Sequence, residues 1–359
     1  MVELKLEEAS SSQSVNRDFY NLFRALFKAL FFCLKINSKV VWMSEKKYNI
    51  ALLGGRGYVG QEIIKLLNKH PVFNLSMAFS KSLAEKNVEG YIKNSNLKYT
   101  KLSLESLSLP DVDIVICALG NGESSSYIDQ IEKINNSIII IDIGSDYRFD
   151  DEWSYSVPEI HNILKGTKRI SNPGCYATAI QLTIAPLKDY INSKVSCVGI
   201  SGYSGAGSTP NDKNNPEILR NNILPYSLTN HTHEKEVKKH CYEKITFSPH
   251  VAEFFRGILV TSHFSLDQKT SESEVYEIFK EFYLAKKLIK VDKNPPLISN
   301  VINTNLAGIG GFSLGDDGKS LVVCSVIDNL LKGAATQCIQ NLNAAFGIED
   351  SLYLEDTHI

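Results

Sequence analysis

The chain has no surplus of either charge. Its 359 residues carry 38 lysines and arginines against 40 aspartates and glutamates, a formal net charge of −2. Nucleic-acid binding needs a basic surface, and no basic run interleaves with aromatic residues, so no nucleic-acid partner is expected. Paired cysteines are missing as well. Cys33, Cys117, Cys175, Cys197, Cys241, Cys324 and Cys338 are scattered, odd in number, and never form a C-x-x-C pair. Zinc sites and disulfide frameworks need paired spacings, so neither a metal nor a disulfide is expected, and the usage suits a reducing compartment. Apart from Cys175, each is expected to be a small buried apolar residue. Internal repeats and long low-complexity linkers are also absent. The length, with 43% hydrophobic residues, predicts about two domains with a sizeable core.

Residues 1–46 differ from the rest. Residues 1–18 are polar and Ser-rich. Leu22, Phe23, Leu26, Phe27, Leu30, Phe31 and Leu34 then recur at helical spacing with Arg24, Lys28 and Lys35 between them, the pattern of a basic amphipathic helix. Its longest apolar run, 29–34, is far short of the ~20 residues a membrane span requires. Organelle transit segments share this basic amphipathic character, whereas Glu3, Glu7, Glu8 and an alternative start at Met43 speak against one. A mitochondrial location follows if the segment is a transit peptide, and a cytoplasmic one otherwise.

From Tyr48 the pattern becomes α/β. Apolar runs at 48–53, 75–79, 112–118 and 138–143 have strand length and no polar face, as buried parallel strands do. A helical stripe of Val59, Ile63, Leu66 and Leu67 follows the first run. Strand–helix–strand alternation predicts a Rossmann-like doubly wound parallel sheet. Beyond it an α+β region is expected, with strands at 195–203, 258–266 and 321–326. Its helix at 272–283 should bury Val275, Phe279 and Phe282. A last apolar helix at 333–346 is expected to pack back on the first sheet.

Three motifs and the end of the second strand carry chemistry. Gly54-x-x-Gly57-x-x-Gly60 lies between a strand and a helix, where glycines let the backbone approach a pyrophosphate. The helix N-terminus there offers free N–H groups to phosphates. Ser80-Lys81-Ser82 ends the second strand where an NAD enzyme usually has an acid; a cation and hydroxyls there suit the 2′-phosphate of NADP(H). The alternative for Lys81 is a solvated loop residue. In Ser171-Asn172-Pro173-Gly174-Cys175-Tyr176, Pro-Gly turns the chain into a helical pattern. Cys175 should therefore sit at a helix N-terminus, where a thiolate is stabilised and an oxyanion can be bound. His231-Thr232-His233-Glu234 supplies histidines for proton transfer, against the alternative of an incidental surface turn.

Gly54-Gly55-Arg56-Gly57-Tyr58-Val59-Gly60, Asp142-Ile143-Gly144-Ser145-Asp146-Tyr147-Arg148-Phe149 and the Ser171–Tyr176 motif together resemble N-acetyl-gamma-glutamyl-phosphate reductase of arginine biosynthesis. Ser201-Gly202-Tyr203-Ser204-Gly205-Ala206-Gly207, the 231–236 segment, Pro249-His250, Arg256-Gly257-Ile258 and Asp328-Asn329-Leu330-Leu331-Lys332-Gly333-Ala334-Ala335 extend the likeness over about residues 47–349. Gly57 after Arg56, His-Thr-His-Glu and Asn341-Leu342-Asn343 resemble the fungal type. The resemblance implies NADPH-dependent reduction of an acyl phosphate to a semialdehyde through a Cys175 thioester, with phosphate released. It implies His233 as general acid/base with His231 as fallback. Arg148, Ser145, Asn172 and Gly205 would contact substrate, unless Arg148 is held in an internal ion pair. Gly54, Arg56, Gly57, Tyr58, Val59, Gly60, Ser80, Lys81, Ser82, Asn121 and Asn329 would hold NADP(H), with no metal. The expected layout is an extension (1–46), an NADP-binding domain (47–174), a catalytic and oligomerisation domain (175–328) and a C-terminal helix returning to the first domain (329–359), in a homo-oligomer, a dimer or a tetramer. The competing readings are a reductase for an aspartyl or aminoadipyl phosphate and a non-catalytic dinucleotide-binding regulator.

Overall fold

The apolar runs build a parallel sheet. In the computed structural model, which describes residues 47–355, β1 (Tyr48–Leu53) is buried from Ile50 onward, as a strand covered on both faces must be. The extension at 1–46, with its predicted helix, lies outside the described residues. β2 (Phe73–Ser80), β3 (Tyr99–Lys101), β4 (Ile114–Cys117), β5 (Ile139–Asp142), β6 (Ser154–Tyr155) and β7 (Arg169–Ser171) complete the sheet. Its order is β3-β2-β1-β4-β5-β7-β6, and every pairing is parallel. The chain runs outward from β1 to β3 and then crosses back to β4. Ligands bind such sheets at the carboxyl ends of the strands beside this reversal. Helix α1 (Tyr58–Lys69) buries Ile63, Leu66 and Leu67, and α2 (Ser124–Ile134) buries Tyr127, Ile128 and Ile131.

A second, mixed sheet follows. It contains β8 (Val195–Gly202), β9 (Ile223–Pro225), β10 (Ile245–Ala252), β11 (Ile258–Ser265), β12 (Ile289–Val291), β13 (Ala307–Leu314) and β14 (Ser320–Ile327), in the order β12-β13-β14-β11-β8-β10-β9. Helices α3 (Cys175–Ile184), α4 (Thr232–His240) and α5 (Glu272–Phe282) give Ile180, Leu182, Val237, Val275 and Phe279 to its core. The other face is open. β8 alternates buried Val195 and Cys197 with exposed Ser196 and Val198, and β11 buries Val260 while His263 and Ser265 are exposed. Period-2 alternation of this kind marks a sheet with one covered face.

Two expectations need correction. Phe282 is 44% exposed; it ends α5 beyond the sheet and leans on Tyr283, ring centroids 4.9 Å apart, so only Val275 and Phe279 share the buried face. The C-terminal segment is not one plain helix. Leu331–Ala335 forms a π-turn, and α6 (Thr336–Ala345) follows it. Leu331, Cys338, Ile339 and Leu342 then join Ile50, Ile63 and Leu67 in the core beneath the first sheet.

Candidate active site

The β1–α1 turn shows why its glycines are needed. Gly54 has φ +86°, and a Cβ on it would lie 2.1 Å from the carbonyl oxygen of Ala118 beyond β4. A Cβ on Gly60 would lie 2.5 Å from the Gly54 oxygen, so α1 rests directly on the turn. The first N–H groups of α1 have no intrahelical acceptor. Tyr58, Val59 and Gly60 line a cleft of about 890 Å³ that also takes in Gly54, Gly57 and Asn121. At the end of β2 the Ser80 Oγ accepts from the N–H groups of Ser82 (3.3 Å) and Leu83 (3.2 Å). Arg56 donates to Ser82 Oγ at 3.1 Å. Lys81 pairs with Glu123 at 2.7 Å, a carboxylate from the loop before α2 that the sequence reading did not foresee. A tight turn with free N–H groups, followed by two cations and hydroxyls, accommodates a dinucleotide carrying a 2′-phosphate.

Cys175 is the first residue of α3, and Gly174 is its N-cap. His233, the second residue of α4, reaches the same point: a Cβ on Gly174 would stand 2.2 Å from His233 Nε2 and 2.6 Å from Arg148 Nη1. Gly174 has φ −74°, so glycine is required there for close approach and not for backbone strain. Cys175 and His233 both line the cleft. Acidification of the thiol by the helix N-terminus is opposed by its surroundings. Burial pushes the Cys175 thiol up to about 11, outweighing the Arg148 charge and the Tyr176 N–H, which pull it down. Burial, with Arg148 and His231 nearby, also holds His233 well below the usual histidine range. Both shifts favour the uncharged forms, thiol and imidazole, and among the described residues His233 Nδ1 is buried with no hydrogen-bond partner. His231 does a different job. Its Nδ1 accepts the His233 N–H at 3.1 Å and so caps α4, and burial followed by Lys213 brings its pKa down to about 4.

The predicted substrate contacts fare unevenly. Arg148 lines the cleft, yet its guanidinium is engaged within the protein. It pairs with Glu236 at 3.1 Å and donates to the carbonyls of Asn172 (2.9 Å) and Ile143 (2.8 Å). The internal ion pair raised as the alternative is present, and the clamp is directed at the protein's own loops. Asn172 is wholly buried, bonded to Ala334 O (3.2 Å) and Asn341 (3.2 Å). Ser145 sits behind Asn121, its N–H on Asn121 Oδ1 at 3.2 Å. Gly205 does line the cleft. Asn329 lines it too, fixed by the Gly257 N–H (2.7 Å) and Ser204 Oγ (2.9 Å).

Two residues at the site were given no role from sequence. Glu236 is fully buried and accepts the Gly174 N–H at 2.9 Å; its spacing of three from His233 on one helix was the available signal. Gly333, in the π-turn, faces Cys175 so closely that a Cβ would lie 2.7 Å from Cys175 Cβ. Among the described residues, no cluster of His, Cys, Asp and Glu is placed to hold a metal ion. No helix among them is long and apolar enough to cross a membrane.

A nucleotide-type cleft opens on a half-buried cysteine–histidine pair beside a second, mixed sheet, and the chain matches the semialdehyde dehydrogenase family in both parts. Residues 49–165 match the family description "Semialdehyde dehydrogenase, NAD binding domain", and 175–329 match "Semialdehyde dehydrogenase, dimerisation domain". Solved structures agree at the level of fold: aspartate semialdehyde dehydrogenase II from Vibrio cholerae has a TM-score of 0.68 at 15% identity, covering 83% of this chain and 98% of that one. Aspartate semialdehyde dehydrogenase with NADP from Candida albicans gives 0.62 at 15%, covering 87% and 99%. Sequence relatives are narrower. N-acetyl-gamma-glutamyl-phosphate reductase from Xanthomonas axonopodis pv. citri (strain 306) is 42% identical over 311 residues, 86% of this chain and 98% of the relative. The Candida albicans "Protein ARG5,6, mitochondrial" is 40% identical over 324 residues, 87% of this chain and 38% of the relative. The chain belongs to the N-acetyl-gamma-glutamyl-phosphate reductase family.

Proposed function

We propose that this protein reduces N-acetyl-glutamyl 5-phosphate to N-acetylglutamate 5-semialdehyde with NADPH, releasing inorganic phosphate. The observation that carries the reading is the meeting of Cys175, at the head of α3, and His233 Nε2 over Gly174, in a cleft that continues to the β1–α1 turn. As Cys175 Sγ attacks the acyl carbon, its proton passes to His233, which is neutral and able to accept it. His233 hands that proton to the departing phosphate, leaving a thioester on Cys175. NADPH, when bound, supplies the hydride that reduces the acyl group. Collapse of the resulting oxyanion releases the aldehyde and returns the thiolate, which takes up a proton for the next cycle. The N–H groups at the start of α3 are the donors for that oxyanion. Glu236 holds Gly174 and Arg148 in place around the reacting atoms.

In this reading Tyr58, Val59, Gly60 and the glycine turn hold the pyrophosphate, Arg56, Lys81 and Ser82 the 2′-phosphate, and Asn121 and Asn329 line the way to the nucleotide's reactive end. Residues 47–174 and 175–328 act as cofactor and catalytic units, with 329–355 returning to the first. The open face of the second sheet is the surface for homodimer formation, supported by the dimerisation-domain match. Residues 1–46 direct the protein to mitochondria, a reading supported by their basic amphipathic pattern and by the mitochondrial relative. Fluorescent fusions with and without residues 1–42 test it, and identical cytosolic distributions would refute it.

The test of activity is phosphate-dependent NADP reduction by purified protein given N-acetylglutamate 5-semialdehyde, beside Cys175→Ser. Turnover abolished by the substitution supports the reaction and the nucleophile. Turnover with aspartate semialdehyde instead moves the substrate, and NADP binding without any turnover refutes the enzyme.

A further inference from the structure

We propose that Lys213 is the anion-binding residue of the acyl-substrate subsite, engaging a phosphoryl or carboxylate group beside Cys175. The inference rests on the acyl-phosphate reading, whose substrate carries both groups. Four lysines and arginines line the cleft: Arg56, Lys81, Arg148 and Lys213. Arg56, in the β1–α1 turn, bonds Ser82, and Lys81, just after β2, pairs with Glu123. Arg148 lies near Cys175 but is committed to Glu236 and two carbonyls. Lys213 has no carboxylate partner among the described residues. Both histidines there are held neutral, His231 partly by Lys213 itself. Lys213 is thus the uncommitted cation next to the reacting cysteine.

Its position is built. Residues 207–214 fold back on themselves: Asn214 donates to the carbonyls of Gly207 (2.9 Å) and Thr209 (2.8 Å), and Asn211 to those of Ala206 (3.3 Å) and Thr209 (2.8 Å). The Lys213 N–H is held by Asn211 Oδ1 at 3.0 Å. The side chain then places Nζ 4.9 Å from the centre of the Tyr226 ring, a cation–π seat that costs little to leave. Lys213 also lines a side pocket of about 40 Å³ with Cys175, Tyr176, Ser201, Tyr226 and His233. A half-buried ammonium on a fixed loop, facing a neutral nucleophile pair, meets an anionic substrate without an internal competitor.

The first experiment needs no turnover. Alkylation of Cys175 by anionic iodoacetate and by neutral iodoacetamide is followed by mass spectrometry in the full-length protein, in wild type, Lys213→Met and Lys213→Arg. The iodoacetate-to-iodoacetamide rate ratio is expected to fall roughly tenfold in Lys213→Met, the worth of one nearby charge in a partly screened site, and to be kept in Lys213→Arg. An unchanged ratio overturns the proposal. The second experiment separates the two anions in the aldehyde-oxidising direction. A rise in KM of roughly 10- to 100-fold for inorganic phosphate alone places the phosphoryl group on Lys213. The same rise for the aldehyde alone places the carboxylate there, and both KM values within twofold of wild type overturn the proposal. If no form turns over but the alkylation ratio falls, the anion subsite stands and the reductase reading fails.

Discussion

At the residue scale the site turns on how burial sets two protonation states. With the thiol raised to about 11, the thiolate fraction of free Cys175 should grow with pH. Iodoacetamide alkylation of Cys175 is expected to rise about tenfold per pH unit from 7 to 9 without levelling. A plateau near pH 8 would show that the helix N-terminus and Arg148 outweigh burial. Because Glu236 adds to the rise, Glu236→Gln should move the same profile to lower pH. Gly174→Ala is the sharpest steric test, since its methyl would occupy the space of His233 Nε2. A kcat loss of about 100-fold is expected from displacing a catalytic group by an ångström, with NADP affinity kept; kcat within twofold of wild type would remove His233 from the mechanism. Cys175 and His233 were legible in sequence because each sits in a short motif with its own chemistry. Glu236 and Gly333 were not, because what defines them, Gly174 and Cys175, lies 62 residues away in the first case and more than 150 in the second.

At the element scale, the π-turn presents Gly333 to Cys175, and a wholly buried ion pair anchors it. Lys332 bonds Glu159 at 2.8 and 2.7 Å and Gln340 at 2.7 Å. Burial alone would raise Glu159, but Lys332 and Gln340 bring it below the usual glutamate range. Lys332→Met removes one partner and leaves a buried charge, so a loss of about 3–5 kcal/mol is expected by urea unfolding. The double variant Lys332→Met, Glu159→Leu should recover most of it, since an apolar pair carries no desolvation cost; no recovery would mean the loss came from packing. A lysine inside an apolar C-terminal pattern gave no sign of this in sequence. Neither did the irregular turn, because nothing in the Leu331–Ala335 stretch sets a π-turn apart from an ordinary helical one. The regular elements were legible where runs were almost wholly apolar, as in β1, with Asn49 its one polar residue, and β4. β10 and β13 are not legible in sequence: Ser248, Pro249 and His250 interrupt one, and Gly308, Gly310 and Gly311 the other, so their strand character comes from neighbours in the sheet.

At the scale of the whole molecule, two sheets are joined by long-range polar links. Arg256, before β11, reaches Glu62 of α1 at 3.1 Å and Asp328 at 3.0 Å. The open face of the second sheet should close only on a second copy. Val198→Arg, at a position 39% exposed on β8, is expected to convert dimer to monomer in sedimentation velocity, and an unchanged species would move the interface elsewhere. The C-terminal helix is pinned by His70, buried against Phe73 with ring centroids 4.2 Å apart. His70 accepts the Phe73 N–H at 3.1 Å on Nδ1 and meets Asn343 Oδ1 at 3.0 Å through Nε2. That geometry needs the neutral ring, and burial, opposed in part by the Asn343 bond, lowers its pKa to about 4. The unfolded chain therefore binds this proton more readily than the folded one. The stability His70 contributes is whole above pH 6.5 and is lost as pH falls toward 4, about 3 kcal/mol in all and about 2 by pH 5. His70→Gln should be less stable than wild type at pH 7.5 yet lose less between pH 7.5 and 5, by about the same 2 kcal/mol. Parallel losses in the two proteins would place the acid sensitivity in other groups and free the C-terminal helix from this control.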